Sequence, residues 1–408
     1  MTTEIPVGER IRFFREARHQ TATSVAVRAG ITAEYLYLIE KGLRVPSTQV
    51  LYRLATVLRV PTASLLGEPG DDGDEDDSLH TWGTALAGAM ADYGRPASAI
   101  DGEGLAMLRD RVSALNDLTL LQGRYAAAGP LPEVVRDVGQ ATRMFRSPGE
   151  AALRREAYRT AVDLHHLVRQ VAKALRRPDL MRLAAERALF YAESADDPIR
   201  VAFTQWGLAS SLCTINEPEH ANQLCLTAIE DLTVEADREG AGQIDALAVQ
   251  SQLHLMAATA EGRLGDTWGA RARIRDQGMP LARQIGEHDL WWTVCGPTNA
   301  ALHLVSVEVE SGEAADALRV ADDVTLDHVR SVERRATFLL SLARIHEYRH
   351  DDSATLLTLL RLEREAPQDL RHRGESRDLV RGLLKRARRT FAPEVRELAT
   401  RMGLYGTA

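Results

Sequence analysis

Only three cysteines occur in 408 residues, and Cys213, Cys225 and Cys295 stand far apart with no Cys-x-x-Cys pair. A disulfide framework or a cysteine zinc cluster is therefore excluded, and reduced thiols are expected. No run approaches the ~18 apolar residues of a membrane helix, and the charged start lacks the apolar centre of a secretory signal. The expectation is a cytoplasmic chain with no membrane contact. Neither G-x-G-x-x-G nor G-x-x-x-x-G-K-[ST] occurs, and no serine or cysteine lies in a nucleophile pattern, so neither a cofactor nor catalysis is expected. Aromatics are scarce at 5%, lysine is nearly missing, and residues 79–408 lack strand-like alternation. What remains is rich in Ala, Leu, Arg and Glu, which lose little rotamer freedom in a helix. The composition predicts an all-α protein, too long for one core.

The net charge of −8 is unevenly spread. Residues 1–66 carry +4, residues 67–80 carry −7, and the rest carries −5. A basic head on an acidic body suits a protein that offers one end to nucleic acid. Within the head, helices are predicted over Gly8–His19, Thr23–Ala29 and Ala33–Glu40. A fourth follows a Ser47 cap, and a short fifth runs from Pro61 to Leu66. Gly30 is placed to end the second helix in a left-handed conformation and Thr32 to cap the third. Two short helices joined by Ala29-Gly30-Ile31-Thr32 have the spacing of a helix-turn-helix.

The ordered set Ile11-Arg12, Arg15, Val25-Ala26, Ala29-Gly30-Ile31-Thr32, Tyr35-Leu36, Ile39-Glu40-Lys41-Gly42, Pro46-Ser47 and Leu54-Ala55 resembles the phage-repressor-like (XRE) helix-turn-helix family. It departs at Thr23-Ser24, where the family usually has a phosphate-contacting glutamine. The resemblance implies a five-helix head that binds double-stranded operator DNA, with helix three in the major groove. It places Thr32, Ala33, Glu34, Tyr35 and Leu38 at or near the base edges and Arg28, Lys41 and Arg44 at phosphates. Glu34 suits a cytosine amino group and Ala33 a thymine methyl. One such head reads a short half-site, so a homodimer is expected.

Residues 67–80, which apart from Pro69, Leu79 and His80 are acids, glycines and one serine, are expected to be a flexible acidic linker. From 81 to 408 apolar residues recur at three- and four-residue spacing, and a turn residue is followed five positions later by a small one. The pairs are Asn216 with Ala221, Gly265 with Ala270, Gly312 with Ala317, Arg349 with Ala354 and, more weakly, Arg176 with Met181. This resembles the tetratricopeptide repeat, in which the small residue lets paired helices approach, although the spacings of 49, 47 and 37 exceed the consensus of about 34. The resemblance implies an α-solenoid of helical hairpins with a concave face for dimerisation or sensing. Counting back from each turn gives one stripe along that face, in which Trp206, Ser210, Gln252, Thr259, Asn299 and Ser306 are the candidate contacts for a peptide or small-molecule effector. The whole-chain arrangement resembles the peptide-pheromone receptors of Gram-positive bacteria, in arrangement only.

Two competing readings come from the same sequence. His346-Glu347-Tyr348-Arg349-His350 matches H-E-x-x-H, so a DNA-targeted zinc peptidase is one alternative. Against it, His350 falls where repeat counting ends a helix, and Tyr348-Arg349 are bulky and charged, so no metal is assigned. The other alternative is a scaffold, in which the array holds a partner protein on DNA. The base-rich stretch Arg371–Arg389 and the His165-His166 pair read as a solvated helix and as packing.

Overall fold

Thr21 and Thr32 open their helices by the same device. Each side-chain oxygen accepts a hydrogen bond from a backbone N–H three residues on, Ser24 at 3.2 Å and Tyr35 at 3.1 Å. The computed structural model describes residues 7–17, 20–44, 46, 48–58, 75–92, 100–123, 129–146, 150–236, 242–386 and 391–404. They belong to two compact units, Met1–Leu79 and His80–Ala408. The predicted fifth helix, and residues 67–74 of the predicted linker, lie outside the described residues.

The first unit contains α1 (Val7–Ala17), α2 (Ala22–Ala29), α3 (Ala33–Glu40) and α4 (Thr48–Leu58). Gly30 ends α2 at φ +67°, as the turn requires, and Ile31 N–H returns to the Ala26 carbonyl. Ile11, Val25, Ala29, Leu36, Leu54 and Leu58 are fully enclosed and make the core. A side chain at Gly8 would lie 1.8 Å from the Ile39 carbonyl oxygen, so glycine is what lets α1 cross the α3 backbone. Arg15 then forks onto Glu40, with Nε and Nη2 at 2.7 and 2.9 Å from its two oxygens, and fixes α1 to the end of α3.

The second unit is all helix apart from one small hairpin among its described residues. Its elements are α5 (Glu75–Ala91, whose first five residues fall in the first unit), α6 (Gly102–Asn116, continued by a π turn at Asp117–Leu121), α7 (Leu131–Met144), α8 (Ala151–Ala174), α9 (Pro178–Ser194), α10 (Pro198–Thr214), α11 (Pro218–Ala236) and α12 (Gln243–Arg263). After these come α13 (Thr267–Arg273), a π turn (Ile274–Gly278), α14 (Met279–Ile285), α15 (Pro297–Glu310), α16 (Ala314–Asp322), α17 (Val332–Tyr348) and α18 (Asp352–Glu365). The last are α19 (Pro367–His372), α20 (Gly374–Arg386) and α21 (Ala392–Arg401). Residues 75–80, expected in the linker, are the start of α5. A helix start tolerates acidic residues because it carries partial positive charge.

Neighbouring helices pack through apolar faces that merge into shared clusters, one spanning α5 to α9, one α10 to α12 with the small hairpin, and one α17 to α21, as stacking in an α-solenoid requires. The joints are left-handed residues at Arg176, Asp196, Asn216, Gly265, Gly312 and His350. At the last joint the turn falls one residue later than expected. Arg349 keeps a negative φ and His350 takes +57°, so the small buried residue five positions on is Thr355 and not Ala354. An unexpected element is the hairpin β1 (His288–Leu290) and β2 (Thr293–Cys295), antiparallel with Leu290 opposite Thr293. Both residues of its turn, Trp291 and Trp292, are left-handed at φ +44° and +61°, which side-chain-bearing residues rarely adopt. Packing sustains that strain: the Arg200 guanidinium lies 4.4 Å over the Trp291 ring, and Trp292 Nε1 donates to Asp117 Oδ1 at 2.7 Å. That bond, and Lys173 Nζ on α8 at 3.3 Å from Glu333 on α17, join distant parts of the array around its concave side.

Candidate nucleic-acid interface and concave cavity

Helix α3 turns Ala33, Glu34, Tyr37 and Lys41 outward, at the spacing of one helical face, while Leu36, Ile39 and Glu40 point inward. Thr32 is exposed at its start, and Arg28 and Arg44 are exposed beside it. The Arg28 and Arg44 side chains have no ion-pair partner among the described residues, so both present an uncompensated positive charge. Tyr35 and Leu38 are half-buried, and Tyr35 packs on the core. The sequence reading missed Tyr37, 54% exposed with Lys41 Nζ 6.0 Å from its ring centre, and Val27, 72% exposed on α2. Both were accessible from the period of 3.6, since Tyr37 lies one turn after Ala33.

The concave side of the array holds a small cavity of about 70 Å³. Two of the six expected contact residues, Trp206 and Ser210, line it. Gln252 and Asn299 are turned to each other instead. Asn299 Nδ2 donates to Gln252 Oε1 at 3.1 Å, and Gln252 Nε2 donates to the Val294 carbonyl at 2.7 Å, so the pair pins β2 to α12 and α15. Both are buried, with Asn299 wholly enclosed. Thr259 and Ser306 are half-buried and bond back to the carbonyls of Leu255 and Leu302 in their own helices.

The strongest polar groups of the cavity were not foreseen. They are Arg169 and Lys173 on α8, His303 on α15, and Glu333 and Arg334 on α17. Burial alone would raise the Glu333 carboxyl, but Lys173, Arg373 and Arg334 together hold it well below the usual carboxylate range. Arg334 Nη2 donates to His303 Nε2 at 2.5 Å, which fixes the proton on Nδ1, and Nδ1–H faces Thr259 Oγ1 at 3.2 Å. Burial, and after it the Arg334 charge, keep His303 well below its ordinary pKa, so it is neutral. Counting back from Arg176 as from the other turns would have reached Gln170, another wall residue next to Arg169. No such count reaches Glu333 or Arg334, which lie near the start of α17, far before its turn.

The H-E-x-x-H segment does not assemble as a metal site. His346 is on α17, whereas His350 occupies the left-handed turn beyond it, and Glu347 Oε1 accepts from Arg386 Nη2 at 3.0 Å. Among the described residues no three His, Cys, Asp or Glu side chains are grouped to hold a metal ion. All three cysteines are buried and unbridged, and burial pushes the Cys295 thiol up to about 12. No helix of the described residues is long and apolar enough to cross a membrane.

Comparison with known proteins agrees with the geometry of the head. A family described as helix-turn-helix domain matches residues 6–66. The HTH-type transcriptional regulator SinR of Bacillus licheniformis is 33% identical over 87 residues, which is 21% of this chain and 78% of that protein. An uncharacterized HTH-type transcriptional regulator of Bacillus subtilis, RghRB, is 36% identical over 66 residues, 16% of this chain and 48% of that one. The chain thus spans only about half the length of the second relative. Among solved structures, a Rap protein complexed with competence and sporulation factor aligns with a TM-score of 0.44 at 12% identity, covering 98% of each chain. Bacillus thuringiensis PlcR, in complex with the peptide PapR7 and DNA, aligns at 0.33 and 11% identity, covering 85% of this chain and 98% of that one.

Proposed function

Because this chain belongs to the helix-turn-helix transcriptional regulators, we propose that its head binds operator DNA as a homodimer while the helical array senses a peptide or small molecule. It is a DNA-binding regulator and not an enzyme, and the cytoplasm, at the nucleoid, is where it works. The observation that carries the DNA reading is the outward face of α3: Ala33, Glu34 and Tyr37 stand exposed on a helix whose other face is locked into a core. Thr32 holds the start of that helix, where a recognition helix meets bases, with Tyr35 and Leu38 at its margin. Arg28, Lys41 and Arg44 take the phosphates. Two heads on one operator supply the specificity that one short half-site lacks. Sensing is supported by a concave cavity that combines Trp206 and Ser210 with buried charge.

Binding to selected operator variants at several salt concentrations tests the assignment. Arg28→Ala and Arg44→Ala should weaken binding to every sequence and lower the salt dependence, leaving the preferred sequence unchanged. Glu34→Ala should instead relax one base pair by about 1–3 kcal/mol. An undiminished non-specific affinity in the arginine variants, or no base position affected by Glu34→Ala, would remove the corresponding role. A one-to-one complex of protein and full operator would remove the dimer.

A further inference from the structure

The cavity wall carries more positive charge than it can pair. Arg169 is 2% exposed, and no protein acceptor lies within hydrogen-bond reach of its buried Nη2. The face of Trp206 lies 5.5 Å from its guanidinium carbon, and the Glu333 charge acts on it from beyond hydrogen-bond reach. The carboxylate of the cavity, Glu333, is taken at 3.3 Å by Lys173 and at 3.4 Å by Arg373, and Arg373 also holds Asp369 at 2.7 Å. Arg334 spends an N–H on neutral His303, which returns no charge. Two guanidinium groups, Arg169 and Arg334, therefore line one cavity without a direct ion pair, sharing only the longer-range attraction of Glu333. Burial pushes Arg169 down only to about 10, so it stays charged at neutral pH. A buried charge without a partner is costly, and proteins keep one where a ligand supplies the opposite sign. Beside these cations, Trp206, Trp292 and Met256 form an apolar wall, and the buried Trp206 Nε1 meets no protein acceptor.

We propose that this cavity is an anion site, taking a ligand whose carboxylate or phosphate group meets Arg169 and Arg334 and whose apolar body lies against Trp206, Trp292 and Met256. The fork of a guanidinium matches either oxyanion, so the two chemistries share one recognition. The proposal rests on the reading of the array as the sensing domain, and it names what that domain senses: an acidic ligand, not a neutral or cationic one.

The test uses the full chain with phenylacetate, phenyl phosphate and neutral phenylacetamide at constant ionic strength. All five tryptophans lie after residue 80, so their fluorescence reports on the array and not on the head. Either acid should quench that fluorescence and bind at least about tenfold more tightly than the amide, and the stronger of the two identifies the oxyanion. Arg169→Met should lose that preference while melting no lower than the parent chain. Arg169→Lys, which keeps the charge and loses the fork, should fall between them. Equal binding of acid and amide, an unchanged preference in Arg169→Met, or silence of both acids each overturns the anion site. Operator affinity is measured alongside. Acid binding that leaves it unchanged keeps the anion site and removes sensing, whereas an operator response to a neutral peptide with both acids silent does the reverse.

Discussion

Gln252 and Asn299 were natural candidates for reading a peptide backbone, and the structure makes a quantitative case for a different role. In Gln252→Ala the Val294 carbonyl loses its donor, and the Asn299 Nδ2 loses its acceptor, in a region closed to water. Each orphaned buried group costs about 1–3 kcal/mol, and the space left by the amide adds to this, for about 3–5 kcal/mol in all. In Asn299→Ala only Gln252 Oε1 is orphaned. Against that loss, Asn299 Oδ1 already meets no protein donor, so its removal relieves a group that was unsatisfied from the start. The space left by the amide adds here too, so the net cost should be about 1–2 kcal/mol. The double variant then costs less than the sum, by about 1–2 kcal/mol, because Gln252→Ala no longer strands an amide on α15. Urea unfolding followed by tryptophan fluorescence measures all three, since Trp291 and Trp292 flank the strand that Gln252 holds. The reasoning fails if Asn299→Ala is as destabilising as Gln252→Ala, or if the two add. It also fails if either variant is as stable as the parent and loses only its response to an effector, the behaviour of a true ligand contact.

Acid should loosen the array before neutral pH would suggest. Burial lowers His165 and His254 to about 4 and holds His166 and His303 well below the ordinary histidine value, so stability is full above the unfolded value of 6.5 and falls as pH drops from there towards 4. His165 and His254 each cost about 2 kcal/mol between pH 7 and pH 5, and a flat denaturation midpoint over that range would contradict it. Arg15→Ala should cost the head about 3–5 kcal/mol by stranding the buried Glu40 carboxylate, abolishing DNA binding with the array intact by circular dichroism. Unchanged operator affinity would show that the Arg15–Glu40 fork is dispensable. At the exposed joint residue Asp196, held at φ +54°, glycine should stabilise by up to about 1 kcal/mol, and a lower melting temperature would mean the side chain contributes more than its strain costs.

The head was legible because its local rules and its fold agree. Thr32 reads as a cap and is one, Gly30 reads as left-handed and is at +67°, and α3 runs from Ala33 to Glu40 as expected. What stayed hidden was the Arg15–Glu40 fork, whose partners lie 25 residues apart with nothing local to couple them. In the array the glycine joints at 265 and 312 were plain, and so was Asn216. Asp196 escaped because the residue five positions on is the branched Val201 and not a small one, whereas the informative signal was different. Proline stands two residues after each of the left-handed residues 176, 196 and 216, so Pro178, Pro198 and Pro218 recur every 20 residues at the first turn of a new helix. The hairpin escaped because strands of three residues leave no alternation to see, and a Trp-Trp turn has none of the usual Asn or Gly. The cavity charges escaped for a more general reason. Arg169 and Arg334 are brought to one wall by the curvature of the array, which no local pattern records.

The bond from Trp292 to Asp117 spans 175 residues, and with the Lys173–Glu333 contact it bears on how the array reaches its native state. An open solenoid nucleates anywhere and frays from its ends, because each repeat needs only its neighbour. Here the segment at 117 must wait for the hairpin at 292, and α8 for α17, before either contact forms. The chain between them must be closed against its entropy, which slows the final step and makes the clasped repeats yield together. Nascent chains that have exposed α6 but not yet the hairpin would hold the cavity wall open. That interval, and not the finished molecule, is when the array is most vulnerable to proteolysis and mispairing.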